Sequence, residues 1–320
     1  MKTSFVKVAG GLALMAASSV AMASVVNTKH NLGASNMASS NHTTATTEIC
    51  IFCHTPHGGD QTTFAPIWNR PTSSNPQYTR FSSLNRLTFD AKEAPIGSVS
   101  AACLSCHDGT QAMDAVINSP GSDTVGTVDT GAGNGSWSQG RAMGNGSFAA
   151  PDGPWNGVGT PRGDMVYLGT DLRNDHPISM QYAGGGLNHT TPTGATNDPD
   201  FAQAGVGQGN PGGLVAVANG AVSHAGANNT TGGVNGSGTG LVNYVSDALG
   251  ERWWVDTGGT GYTATDFPLY TRNDVAGAAG TNQPTVECGT CHDPHSGNST
   301  FLRLTTGNAG SGVCLTCHAK

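Results

Sequence analysis

Every cysteine of this chain lies in one repeated pentapeptide, Cys-x-x-Cys-His. The copies are Cys50-Ile-Phe-Cys53-His54, Cys103-Leu-Ser-Cys106-His107, Cys288-Gly-Thr-Cys291-His292 and Cys314-Leu-Thr-Cys317-His318. Two thiols at this spacing can form thioethers to the vinyl groups of one porphyrin, and the adjacent imidazole can bind its iron. The pattern is therefore the signature of c-type haem attachment. Cys-x-x-Cys pairs also build zinc sites and redox-active dithiols, and eight cysteines could make four disulfides. None of those chemistries needs a His after every second Cys. The sequence thus predicts four covalently bound haem c groups, held by Cys50, Cys53, Cys103, Cys106, Cys288, Cys291, Cys314 and Cys317, with His54, His107, His292 and His318 as proximal ligands.

Seven further histidines are candidates for the opposite side of each iron: His30, His42, His57, His176, His189, His224 and His295. Neutral imidazole suits haem iron, and bis-His coordination lets the metal change charge with little rearrangement. His57 and His295 each stand three positions after a proximal His, behind a Pro. A residue so placed cannot easily reach the far face of the same porphyrin, so its target is a neighbouring haem, with the Pro stiffening the approach. His176 sits between Asp175 and Pro177, where the carboxylate could orient the ring. His30 would tether the start of the mature chain, with His42 as its rival. His42, His189 and His224 lie in polar, Gly- or Asn-rich surroundings and read as spare. Met37, Met113, Met143, Met165 and Met180 offer a minority alternative of Met/His ligation, which would raise a potential.

The elements that must position these groups are unusual. Only 11% of residues are charged and 47 are Gly, a poor basis for ordinary amphipathic helices. Large apolar porphyrin plates would instead organise the chain. The motifs form two pairs, each opening with C-H-x-P-H and closing with C-L-[S/T]-C-H, as in duplication of a two-haem unit. Residues 1–23 read as a secretory signal: Lys2 and Lys7, an apolar run, then Ala21-Met22-Ala23. The expected organisation is this signal, an N-terminal two-haem unit (24–110), a Gly/Asn/Thr-rich insertion (111–283) carrying a distal ligand, and a C-terminal two-haem unit (284–320). Short strands are expected at Gly163–Gly169 and Glu251–Asp256, a turn at Thr257–Tyr262, and helical turns through the attachment motifs. No stretch reads as a membrane span. Loss of Lys2 and Lys7 takes the formal charge from −7 to −9, which argues against nucleic acid and anionic membranes as partners.

The segments Thr28-Lys-His-Asn-Leu32, Ile49–His57, Leu168–Leu172 with Asn174–Ile178, Cys288–His295 and Cys314–His318 resemble extracellular tetrahaem cytochromes of the OmcE type, which form filaments, or nanowires. The resemblance implies a multihaem cytochrome c that is mostly coil, with few short helices and strands around a row of four stacked bis-His haems. It further implies head-to-tail homopolymers in which one axial His crosses to the next subunit. By analogy His57 is that crossing ligand, while His30, His176 and His295 serve haems of their own chain. The function so implied is long-range extracellular electron transfer to redox proteins or extracellular acceptors. The alternatives are a monomeric periplasmic or cell-surface carrier and, behind it, a haem-dependent reductase. An enzyme would need an open iron and a pocket with acid-base groups, against which the surplus histidines argue.

Overall fold

The computed structural model describes residues 25–33, 35, 46–72, 77–84, 89–108, 116–118, 168–192, 194–204, 242–257, 262–278 and 280–318. The leader, residues 163–167, the Gly-rich tracts at 131–146 and 206–240, His42, His224, Met37, Met113, Met143 and Met165 lie outside the described residues. Leu168 and Gly169, the end of one expected strand, are coil.

Helical structure coincides with the attachment motifs. Three α-helices, α1 (Ser98–His107), α2 (Cys288–Cys291) and α3 (Gly312–Cys317), and a 3-10 turn at Cys50–Phe52 carry one motif each. Further single 3-10 turns and coil make up most of the remainder, and among the described residues no helix is long and apolar enough to cross a membrane.

The regular exception is a five-stranded antiparallel sheet of β1 (Met180–Gln181), β2 (Val242–Asp247), β3 (Gly250–Val255), β4 (Phe267–Arg272) and β5 (Gln283–Val286), in the order β1-β5-β4-β3-β2. The Trp-Trp-Val strand expected from sequence is β3. Pro268 in β4 and Pro284 in β5 explain why those strands were not anticipated, because Pro within a run argues against a strand. Alternation sorts the side chains between the faces. Val242, Tyr244, Trp253, Val255, Phe267 and Leu269 share one face, matching the register Val242↔Val255, Tyr244↔Trp253, Trp253↔Leu269 and Val255↔Phe267. Trp254 points the other way, against Val245. The first face packs on Cys291, Leu304, Val313 and Cys317, so the sheet is the floor beneath the last two motifs.

A buried ionic cluster joins this sheet to the second motif. Glu287, 1% exposed between β5 and α2, accepts from Arg272 of β4 (3.0 Å), from Ser179 Oγ (2.9 Å) and from Ser100 Oγ of α1. Ser100 Oγ in turn accepts the Cys288 amide at 3.0 Å, and Glu287 with Thr290 forms a reciprocal cap on α2. Burial raises the Glu287 carboxyl above the usual range, and the hydrogen bonds from Ser100 and the charge of Arg272 oppose that rise. Arg272 also holds Asp274 (2.7 Å) and the Pro95 carbonyl (2.9 Å).

At the first motif, a loop over residues 54–72 folds on Asp60. Its carboxylate accepts from the Thr62 amide (2.6 Å) and hydroxyl (2.6 Å) and from the Thr72 amide (3.0 Å) and hydroxyl (2.8 Å). Partial burial pushes the Asp60 pKa up, but these bonds outweigh it and hold the group at about 2.

Two outcomes follow from these clusters. Glu287→Ala strands the Arg272 charge in the interior with Asp274 as its remaining carboxylate and should cost about 3 kcal/mol in denaturant titration of the haem-loaded protein. Asp60, depressed on folding, stabilises its loop fully above about pH 4 and loses that contribution as pH falls toward 2. Pepsin cleavage within 60–72 should therefore accelerate through that window in the wild type, whereas Asp60→Asn should be cleaved readily throughout it.

Candidate haem attachment and ligand site

Each motif is one helical turn. The His amide donates back to the first Cys carbonyl in three of them: His54 to Cys50 (2.7 Å), His292 to Cys288 (3.1 Å) and His318 to Cys314 (2.9 Å). The remaining one, the second motif at Cys103–His107, ends α1. A single turn groups both thiols and the imidazole on one short stretch of backbone, the geometry a thioether-linked porphyrin with a proximal His requires. In the second and fourth motifs Leu follows the first Cys, and in the first it is Ile. The third has Gly289, because a Cβ there would collide with the Tyr270 hydroxyl of β4.

All eight cysteines are free thiols. Burial pushes Cys53 up to about 12 and Cys291 up to about 11, and raises Cys317 further in the same direction. Among the described residues, no three His, Cys, Asp or Glu side chains converge as a metal centre of their own.

The motifs lie side by side in chain order. Cys53 of the first is within electrostatic range of Cys106 of the second, and Cys53 packs against Trp68 and Ala102, the latter on α1 with the second motif. Cys103 of the second donates its thiol hydrogen to Cys288 of the third, which raises the Cys103 pKa and lowers that of Cys288. Cys291 of the third is in range of Cys314 and Cys317 of the fourth.

The imidazoles are oriented through one ring nitrogen. Nδ1 of His54 bonds the Pro66 carbonyl (2.8 Å), that of His292 the Thr300 carbonyl (2.9 Å), that of His30 the Pro294 carbonyl (3.2 Å) and that of His176 the Pro177 carbonyl (2.9 Å). His295 Nδ1 lies 3.5 Å from Asp293 Oδ1. An Nδ1–H committed to an acceptor leaves Nε2 with its lone pair for a metal, as in metal-binding histidines generally. Burial lowers His30 to about 4 and so keeps it neutral, whereas the Asp293 bond raises His295 and that bond lowers Asp293.

Two pairs of imidazoles stand at matching separations, one near-parallel at 18° and one edge-on at 65°. The His54 and His295 centroids are 6.0 Å apart, and those of His30 and His107 are 6.3 Å apart. With metal–nitrogen bonds of about 2 Å and each ring centre roughly 1 Å beyond its nitrogen, two imidazoles sharing one metal stand about 6 Å apart. The residues present therefore fit haem c. They would hold it by the paired thiols and by these imidazoles, and Trp68 Nε1, buried beside His54 with no acceptor among the described residues, would be a donor available to it.

The remaining candidates are placed differently. His57 is exposed, with its carbonyl held by Thr55 Oγ1 (3.1 Å) and Asn118 Nδ2 (2.9 Å). His176 is exposed in a segment tied at one end to the second motif, through the Leu168 amide to the His107 carbonyl (2.8 Å), and at the other to Glu287 by Ser179. His189 has a buried Nδ1 with no hydrogen-bond partner among the described residues. Sequence reasoning missed the loop 292–301 as an organiser: it supplies the Pro294 and Thr300 carbonyls, delivers His295, and stacks Phe301 on His30 at 4.0 Å. His292, Pro294 and His295 of that loop carried a visible signal in the Cys-His-Asp-Pro-His run, whereas its backbone acceptors and Phe301 carried none.

Residues 283–320 match the family model of the doubled CXXCH motif. No curated protein matches the chain at a significant level. The matched segment spans β5, α2 and α3, the region in which the third and fourth motifs lie side by side. It indicates covalently bound haem c and the features of a multihaem c-type cytochrome, a haem-binding electron-transfer protein.

Proposed function

We propose that this chain is a tetrahaem cytochrome c that carries electrons over long distances outside the cell, as the subunit of an end-to-end filament. The observation that carries the reading is the contiguity of the attachment motifs in the order first, second, third, fourth, with Cys103 touching Cys288 at the centre. Bound haem c supplies a one-electron iron couple at each motif; the chain supplies spacing, ligation and shielding from water. His54 with His295, and His107 with His30, would hold the irons at the first and second motifs. His176, on a segment bracketed by the second motif and by Glu287 next to Cys288, serves the third. His57, exposed at the first motif, serves the fourth iron of a neighbouring copy, since the first and fourth motifs are opposite ends of the row. A ligand passed from end to end is a heterologous contact, which grows a filament when it does not close into a ring.

Export in the manner of residues 1–23 belongs to the same reading, as does an acceptor outside the cell. A monomeric carrier is the second reading. It is favoured by His189, whose partnerless buried nitrogen could supply the fourth iron from within the chain.

Mass spectrometry of the exported protein should find four haem additions, and electron microscopy should show filaments. His57→Ala should retain all four haems, abolish filaments and leave one iron high-spin. Monomeric wild-type particles, together with a high-spin iron on His189→Ala, would instead establish the carrier.

A further inference from the structure

We propose that Ile67, on the loop after the first motif, centres an apolar docking face for the fourth-motif end of a second copy of this chain. The inference rests on the reading of the chain as a filament subunit. It starts from a structural repeat that reaches beyond the matching motifs. In the first loop Nδ1 of His54 bonds the Pro66 carbonyl (2.8 Å) and the Thr55 amide donates to the Ile67 carbonyl (2.9 Å). His54 also bridges to Trp68, and the Asn69 amide donates to the Cys53 carbonyl (2.8 Å). The third motif repeats each contact: His292 with the Thr300 carbonyl (2.9 Å), the Asp293 amide with the Phe301 carbonyl (2.8 Å), His292 with Leu302, and the Arg303 amide with the Cys291 carbonyl (3.0 Å). Ile67 is therefore the counterpart of Phe301, and both adopt left-handed backbone, with φ of 47° and 58°. That conformation is costly for a β-branched residue and persists only where the surrounding bonds fix it, and so fix the direction of the side chain.

The counterpart shows what the position is for. Phe301 is not spent on its own motif. Its ring stacks on His30 at 4.0 Å, and His30 stands 6.3 Å from His107 of the second motif, which precedes the third in the row. The same position after the first motif addresses a place that no motif of this chain occupies. Ile67 is 53% exposed there, and Phe64 of the same loop is 72% exposed. The fourth motif ends the row on the other side, where Cys314 lies exposed together with Ala309, Gly310 and Ser311. Charge favours the match. The chain carries a formal −7, so copies repel one another in general, yet residues 305–318 contain no Asp, Glu, Lys or Arg. Between 49 and 69 the one such residue is Asp60, whose carboxylate is taken up by Thr62 and Thr72. Two uncharged ends can thus meet, and covering the exposed Ile67 and Phe64 favours the contact. His57 is exposed on the same loop, so the crossing ligand and this face act at one junction.

The test is Ile67→Gly in the haem-loaded full chain, since Gly accepts the left-handed backbone and removes only the side chain, with Ile67→Asp as the second variant. Both should retain four haems by mass spectrometry and raise the subunit concentration needed for assembly at least tenfold in sedimentation. Ile67→Phe, the residue of the sister loop, should assemble like the wild type. A benzoylphenylalanine photocrosslinker at position 67 should join two copies, with the linked peptide falling within 305–318. Wild-type filaments whose assembly neither variant weakens would overturn the face and leave the filament reading standing. So would a crosslink that stays within one chain or lands elsewhere on the second copy. Monomeric wild-type protein would sink both.

Discussion

The buried carboxylate of Glu287 is the constraint on which the arrangement of this molecule turns. A charge sealed from water needs partners on every side, and it draws them from three places: Arg272 in the sheet, Ser179 at the edge of β1 and Ser100 in α1. Because Glu287 also caps α2, satisfying it brings the second and third motifs to the point where Cys103 meets Cys288. The two halves of the chain, far apart in sequence, are joined there. The resulting order of attachment points is continuous.

Around that joint the protein works with backbone more than with side chains. The carbonyls of Pro66, Pro294, Pro177 and Thr300 select the ring nitrogen that each imidazole exposes. Coil is suited to this work because its carbonyls are not consumed by a helix or a sheet ladder. Two residues of the organising loop, Thr300 (φ 54°) and Phe301 (φ 58°), adopt left-handed backbone. That conformation is strained for side-chain-bearing residues, and it is held where Thr300 must bond His292 and Phe301 must lie on His30. A multihaem chain with few helices and much coil is thus a consequence of where its hydrogen-bond acceptors are needed.

The sheet has a supporting part. Its inner face, built from Trp253, Phe267 and their neighbours, is a rigid floor for Cys291 and Cys317. Tyr270 presses so closely on α2 that the motif above it must use Gly289. The inner face of the sheet and the third and fourth motifs therefore form one packed unit, and the family match to residues 283–320 covers the edge strand and the two helices of that unit.

The amino-acid sequence by itself determined the chemistry. Four Cys-x-x-Cys-His runs carry their own ligand set, because each places two thiols and an imidazole within five consecutive residues whatever surrounds them. The surplus histidines, the Trp-Trp-Val strand and the sparse secondary structure were legible for the same reason, each being a local property of composition or spacing. Strands β4 and β5 were not, since their prolines argue against a strand until a partner strand is present. Which imidazole stands opposite which was decided only in three dimensions. His30 meets His107 and His295 meets His54 through contacts between residues more than seventy positions apart, and no spacing rule reaches that far. Tertiary structure also settled which ring nitrogen is free, because the acceptors are backbone carbonyls, and every residue type carries one.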